Sequence, residues 1–165
     1  MSRFFKTVLL TGLFVGTTDL VAAYVTHLIY TGQFADRMLK YIAGGALGLE
    51  TSMKGGNAVA FLGLFFHYFI AFAFTLFFFL VFPRLKFLWF NKYLVGMLYA
   101  VFVAMIVNHV ILPITPLPAG TFNLSKAIPG LLTLGVVLGI PIAYNAYKYY
   151  GVDSQEEKND RKHLA

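Results

Sequence analysis

Residues 58–82 read "AVAFLGLFFHYFIAFAFTLFFFLVF" and contain no aspartate, glutamate, lysine or arginine. About 20 apolar residues are enough for an α-helix to cross the hydrocarbon core of a bilayer. Three other windows are also long and mainly apolar, so the predicted spans cover about residues 5–30, 58–82, 93–112 and 127–147. The sequence therefore predicts an all-α integral membrane protein, folded as a four-helix transmembrane bundle.

The composition agrees with a membrane environment. The chain has 165 residues, of which 59% are hydrophobic and 12% charged, whereas roughly 25% of a soluble domain is charged. A chain of this size cannot hide so much apolar surface in a core, because small folded proteins are mostly surface. The absence of cysteine excludes disulfides and thiolate metal sites. The net charge of +6 is scattered between apolar runs, so the predicted partner is the lipid bilayer and not nucleic acid.

The lysines and arginines are divided unequally between the two sides of the predicted membrane domain. Basic residues concentrate in cytoplasmic loops, so both termini are predicted to be cytoplasmic, with residues 1–150 in the membrane domain and residues 151–165 forming a polar cytoplasmic tail. The other side has four basic residues, which are Arg37, Lys40, Lys54 and Lys126. The nine on the richer side are Arg3, Lys6, Arg84, Lys86, Lys92, Lys148, Lys158, Arg161 and Lys162.

The segment between the first and second spans has a different pattern. Apolar residues recur at helical spacing from Phe34 to Leu49, and charged residues lie elsewhere on the helical wheel. This pattern is typical of an amphipathic helix on the outer membrane surface or dipping partly into it. "AGGALG" (Ala43 to Gly48) is too short to span and allows close backbone contact, so a re-entrant turn is the alternative.

Small residues recur at every third or fourth position of each span and so share one helix face. In lipid, small residues let helix backbones approach closely, whereas large apolar residues gain little by leaving the acyl chains. These faces are therefore the expected contact surfaces of the bundle. The predicted packing residues are Gly12, Gly16, Gly63, Gly96, Ala100, Gly135 and Gly139.

Polar residues interrupt these faces. An ionised carboxylate such as Asp19 at the centre of a span costs about 2.5–3.5 kcal/mol on insertion scales, so it needs hydrogen bonds from other helices. His67 and Asn108 lie on the small faces of the second and third spans, at depths close to that of Asp19. His109 is next to Asn108, and His27 lies nearer the outer interface. These five residues form the predicted intramembrane polar cluster.

Several kinds of chemistry fit this cluster. Asp19 and His67 are interpreted either as a coupled pair that takes up protons or binds a cation, or as a polar pin that sets helix register. No second acidic residue lies in a span to continue a proton relay. The three histidines and Asp19 are metal-ligand types without a local ligand motif, and a bis-histidine haem needs His67 to face His109. The sequence specifies no cofactor.

Enzymatic motifs are lacking. The chain has no Gly-x-Ser-x-Gly motif, and "AGGALG" lacks the lysine of a phosphate-binding loop. We therefore predict no catalytic residues. Pro141, inside the fourth span, cannot donate to the carbonyl of Val137. This predicts a kink there, or else a hinge or an ion-coordinating carbonyl.

The run "YAVFVAMIVNHVILPITPLPAGTFNLSKAIPGLLTLGVVLGIPIAY" (Tyr99 to Tyr144) resembles the YagU-like small multi-pass bacterial inner-membrane proteins. They have a similar helix that ends in a proline-interrupted outer loop, followed by a last helix that returns to the cytoplasm. The resemblance implies a bacterial inner (cytoplasmic) membrane location and a connection with tolerance of acid. No catalytic residues come with the group.

Two functional hypotheses follow from the sequence. The first is a non-enzymatic membrane protein that conducts, transports or senses a proton or small solute through the polar cluster. The second is an accessory or scaffold subunit whose small-residue faces dock a larger membrane complex. Since four short helices enclose little space, a homo-oligomer or membership of a larger membrane complex is expected.

Overall fold

The computed structural model describes residues 2–32, 35–118 and 124–152, and in these ranges all regular structure is helical. The α-helices are α1 (Arg3–Thr31), α2 (Ala35–Leu47), α3 (Leu49–Lys54), α4 (Asn57–Val81), α5 (Lys92–Ile106), α6 (Leu124–Leu134) and α7 (Ile140–Tyr150). The predicted all-α class is confirmed.

Four helical segments are long and apolar enough to cross a membrane: Arg3–Tyr30, Asn57–Arg84, Lys92–Ile114 and Ala127–Tyr150. Each overlaps one predicted span and exceeds it by a few residues at one or both ends. In the third segment, the turns Val107–Ile111 and Leu112–Ile114 extend α5. In the fourth, the turn Gly135–Gly139 joins α6 to α7. The apolar windows alone do not reveal these turns. The predicted four-span membrane bundle is confirmed.

The third and fourth spans each contain a π-helical turn. One is Val107–Ile111, which extends α5, and the other is Gly135–Gly139, which joins α6 to α7. Each turn ends two residues before a proline, Pro113 or Pro141. A proline has no N–H for the carbonyl four residues earlier, and that carbonyl lies inside the π-helical turn in both cases. The wider turns therefore occur where the α-helical hydrogen-bond ladder is interrupted.

The helices have a definite order around the bundle. α1 packs between α4 and the fourth span, and α5 packs against the fourth span, so α1 and α5 lie diagonally opposite each other. α4 and α5 meet through aromatic rings: Tyr99 lies edge-on to Phe78 with 4.6 Å between ring centroids. The Tyr99 hydroxyl also donates to the carbonyl of Phe74 at 2.6 Å. This order decides which polar residues can meet.

Both described chain ends lie at the same end of the bundle, which we call the terminal end. The Phe4 ring lies 6.0 Å from that of Tyr149, between centroids, and the Arg3 guanidinium lies 5.8 Å from the centre of the same Tyr149 ring. Phe79 and Phe82 at the end of α4 are completely buried there. The predicted cytoplasmic tail, residues 151–165, lies outside the described residues from residue 153 onward.

The opposite end, called the lid end, carries α2 and α3. α2 crosses α4 at Gly63, whose Cα faces the backbone of Leu39 and Ala43. The predicted amphipathic segment is helical over Ala35–Leu47, so "AGGALG" belongs to this helix up to Leu47. The chain then turns into α3 at Gly48, whose φ of 79° is a backbone conformation that glycine adopts without a Cβ clash.

Candidate functional site

Asp19 lies near the middle of α1, and its electrostatic neighbour is His67 of α4. The Nε2 atom of His67 lies 2.8 Å from the carbonyl oxygen of Gly16, one helical turn before Asp19. A carbonyl only accepts, so Nε2 carries the hydrogen of this bond. The bond therefore anchors the imidazole to α1 one helical turn from Asp19, and Nδ1 is the ring nitrogen that this bond does not use.

Hydroxyl groups surround this pair. Thr17 donates to the carbonyl of Leu13 at 2.8 Å, and its oxygen lies 2.8 Å from the hydroxyl of Tyr68. Because a threonine hydroxyl has one hydrogen, Tyr68 is the donor to Thr17. The Tyr68 ring also lies against Gly16, where a Cβ atom would be 2.9 Å from it. The α1–α4 contact is thus held by His67 and Tyr68 together.

Thr18 connects α1 to the fourth span. Its hydroxyl oxygen lies 2.8 Å from the carbonyl of Val137 and 3.0 and 3.2 Å from those of Phe14 and Val15, so its one hydrogen is assigned to Val137, the shortest contact. This is the carbonyl that Pro141 leaves without an α-helical donor. The sequence predicted a kink at Pro141, or else a hinge or an ion-coordinating carbonyl. The structure has a π-helical turn there, and the Val137 carbonyl is engaged by Thr18 of α1.

Replacing Thr18 by valine removes this cross-helix bond without changing the size of the side chain. We expect a loss of about 0.6–1.7 kcal/mol in the free energy of unfolding, the usual contribution of an interhelical hydrogen bond in a membrane protein. Thr7→Val is the matched control, because the Thr7 hydroxyl donates to the carbonyl of Arg3 in its own helix. Equal losses for both variants, measured by detergent titration, would contradict a cross-helix role for Thr18.

The structure does not bring Asn108 and His109 to Asp19. Both side chains are exposed in the π-helical turn after α5, on the helix diagonal to α1. Asn108 donates through Nδ2 to the carbonyl of Ala104 at 2.8 Å. His109 Nδ1 lies 3.2 Å from the carbonyl of Met105. His27 is half-buried on α1, two turns beyond Asp19 towards the lid end.

The packing glycines form two close interfaces between spans and one with α2. Gly12 and Gly16 lie against α4 side chains, and Gly96 and Ala100 of α5 meet the fourth span at Gly139. Gly135 faces the side chain of Met97. Gly63, in contrast, faces α2 and not another span.

Neither metal nor haem binding gains support from this arrangement. Within residues 2–32, 35–118 and 124–152, no three histidine, aspartate or glutamate side chains gather closely enough to hold a metal ion. His67 lies at the α1–α4 contact and His109 on an exposed face of the third span, so the two imidazoles do not face each other across a space for a macrocycle.

α2 packs against α1 and α4 at the lid end of the bundle. A cavity of about 170 Å³ lies between α2 and α1. It is lined by Met38 and Leu39 of α2 and by Leu20, Val21 and Tyr24 of α1. The cavity begins at the residue that follows Asp19.

Thr17, Thr18 and Tyr68 are site residues that the sequence analysis did not select. The signal for them was their position, directly beside Asp19 or His67 in the chain. A threonine in a helix is usually explained by a contact with its own backbone, and the hydroxyls of Thr17 and Thr18 also lie within 3.2 Å of such carbonyls. The cross-helix bonds become visible only when the neighbouring helix is known.

No family model, no curated protein and no solved structure matches the chain. Function is therefore inferred from the Asp19–His67 pair and the helices that enclose it.

Proposed function

We propose that this multi-pass membrane protein responds to pH through the Asp19–His67 pair. The observation that carries the proposal is the bond from His67 Nε2 to the Gly16 carbonyl, one helical turn before Asp19, which holds the imidazole close enough to interact electrostatically with the carboxylate. Histidine titrates in the physiological pH range, and ionisable groups inside a membrane commonly mark proton-binding positions.

The protonation state of one member of the pair changes the free energy of ionising the other. When His67 is charged, an ionised Asp19 has a counter-ion; when His67 is neutral, the carboxylate is uncompensated in a medium of low dielectric constant. Because α2 packs against both α4 and α1, the two helices that carry the pair, we propose that the charge state of the pair sets how closely α2 packs.

Closure of the terminal end favours a responder over an open pore. Phe78, Phe79, Phe82 and Tyr147 are at most 4% exposed and fill that end of the bundle. Asp19 has no second acidic residue in any span to pass a proton to. Proton access is therefore proposed from the lid end only.

The orientation in the membrane is part of this proposal. Six lysines and arginines lie at or near the terminal end, from Arg3 and Lys6 to Lys148, which supports a cytoplasmic terminal end in a bacterial inner membrane. The lid end then faces outward, and the pair responds to external pH. This agrees with the acid tolerance that the resemblance to YagU-like proteins implies.

The experiment uses a fluorophore on α2. The chain has no cysteine, so Arg37→Cys, at an exposed position, gives a single labelling site for an environment-sensitive dye. In liposomes, we expect the emission to change as the pH falls from about 8 to about 5. Asp19→Asn and His67→Gln should each abolish the change, because neither replacement titrates.

Other titratable groups near the pair define the controls. These are Tyr24 and His27 on α1, Lys40 on α2 and Tyr68 on α4. Glu50→Gln is the matched acid control, since Glu50 is exposed on α3 and pairs with Lys54 at 2.6 Å; it should keep the full response. A response that survives Asp19→Asn contradicts the proposal. A proton flux that Asp19→Asn abolishes, measured with a dye inside the same liposomes, would replace it with proton conduction.

A further inference from the structure

The third span has an exposed face that ends in a polar residue. Leu94, Leu98, Val101 and Met105 are all exposed on it, at successive steps of four, three and four residues. Asn108 follows at the next step of three and is also exposed. An apolar face is what lipid requires, so the four apolar residues carry no inference alone. The exposed amide of Asn108, in contrast, is not accounted for by contact with lipid.

The Asn108 amide keeps unused hydrogen-bonding capacity. Its Nδ2 donates one hydrogen to the carbonyl of Ala104, which leaves a second N–H and the side-chain carbonyl for other partners on an exposed residue. Asn108 lies six residues before Ile114, the last residue of the span, or about 9 Å inside its end. At that depth an unbonded amide is costly, because acyl chains offer no donor or acceptor.

His109 adds to this exposed polar surface. Its Nδ1 donates to the carbonyl of Met105, because the carbonyl only accepts, so Nε2 is the free acceptor of the ring. Two adjacent residues thus present unused donors and acceptors from one turn of the third span. This π-helical turn, Val107–Ile111, is of a type frequently found at functional positions.

We propose that this face binds the same face of a second copy of the chain, with the two third spans side by side and parallel. An amide both donates and accepts, so Asn108 is complementary to Asn108 of a second copy across a two-fold axis. The alternating steps of four and three are the spacing of a coiled-coil seam, in which one polar residue sets register. The paired amides bond each other in place of the lipid, and the four apolar residues form the remainder of the seam.

The test is disulfide cross-linking in liposomes at a low ratio of protein to lipid. The chain has no cysteine, so each variant reports one position. Met105→Cys lies on the proposed seam and Phe65→Cys on the exposed face of α4; the two native side chains are 58% and 62% exposed. We expect oxidation to give a cross-linked dimer with Met105→Cys and not with Phe65→Cys. No dimer, or equal amounts from both, overturns the proposal.

A second pair of variants tests Asn108 itself. In the Met105→Cys background, Asn108→Leu should reduce the cross-linked fraction about three- to tenfold, the effect of losing one interhelical hydrogen bond. Asn108→Gln keeps the amide and should restore most of the cross-linking. An unchanged yield with Asn108→Leu overturns the role of the amide. A cross-link in cell membranes to a different protein, without a dimer in liposomes, overturns the second copy as the occupant.

Discussion

Gly139→Ala is expected to lower the free energy of unfolding by about 3 kcal/mol, the upper part of the range for an overpacked site. A Cβ atom at Gly139 would overlap the carbonyl of Gly96 and lie 3.1 Å from the Cβ of Ala100. The obstructing atoms are mainly backbone, so no rotamer change removes the clash. α5 and the fourth span would have to separate.

The matched control for this prediction is Gly130→Ala in the same span. No atom lies within 4 Å of a Cβ placed at Gly130. There the added methyl group favours the helix slightly, because alanine loses less backbone freedom than glycine. Both variants are compared by detergent titration of the native circular dichroism signal. Similar values for the two would show that the Gly96–Gly139 contact is not as close as the structure has it.

Gly63→Ala is expected to loosen α2 without unfolding the bundle. The new Cβ would overlap the carbonyl oxygen of Leu39 and lie 3.3 Å from the backbone nitrogen of Ala43. α2 is not a span and is held mainly by α4, so it moves away while the four spans remain packed. We expect hydrogen exchange of the α2 amides to accelerate about 10- to 100-fold, which corresponds to a local loss of about 1–3 kcal/mol.

Two further measurements accompany this variant. Gly56→Ala, where no atom lies within 4 Å of the added Cβ, should leave exchange in α2 unchanged. If α2 packing reports the charge of the Asp19–His67 pair, Gly63→Ala also removes the pH-dependent fluorescence change while Asp19 and His67 remain in place. Loss of α2 protection with a full fluorescence response would separate α2 from the proposed pH response.

The position of Asn108 shows where helical periodicity becomes misleading. The predicted small face used steps of four from Gly96 through Ala100 and Ala104 to Asn108. Each residue turns a helix by about 100°, so twelve residues bring Asn108 about 120° away from Gly96. Gly96 and Ala100 are buried, Ala104 is half-buried and Asn108 is exposed, as this drift requires. Residues spaced four apart therefore share one helix face over about two turns, but not over the twelve residues from Gly96 to Asn108.

Gly63 shows a second limit. Its small size correctly indicates a close backbone contact, but the sequence does not say with which element. The partner is α2, an amphipathic segment that was expected on the surface. A glycine reports the space around one position, whereas the identity of the neighbour depends on how the loops and α2 are arranged.

The sequence by itself determined the membrane environment, the four spans and the all-α class. The reason is that lipid requires each crossing segment to be continuously apolar and internally hydrogen-bonded, and both properties are local. Only the tertiary structure decided that His67 and not Asn108 is the electrostatic neighbour of Asp19, that Thr18 bonds the carbonyl left by Pro141, and that α2 packs on the two helices that carry the pair. These contacts depend on the order of the helices around the bundle, which no local pattern in one chain encodes.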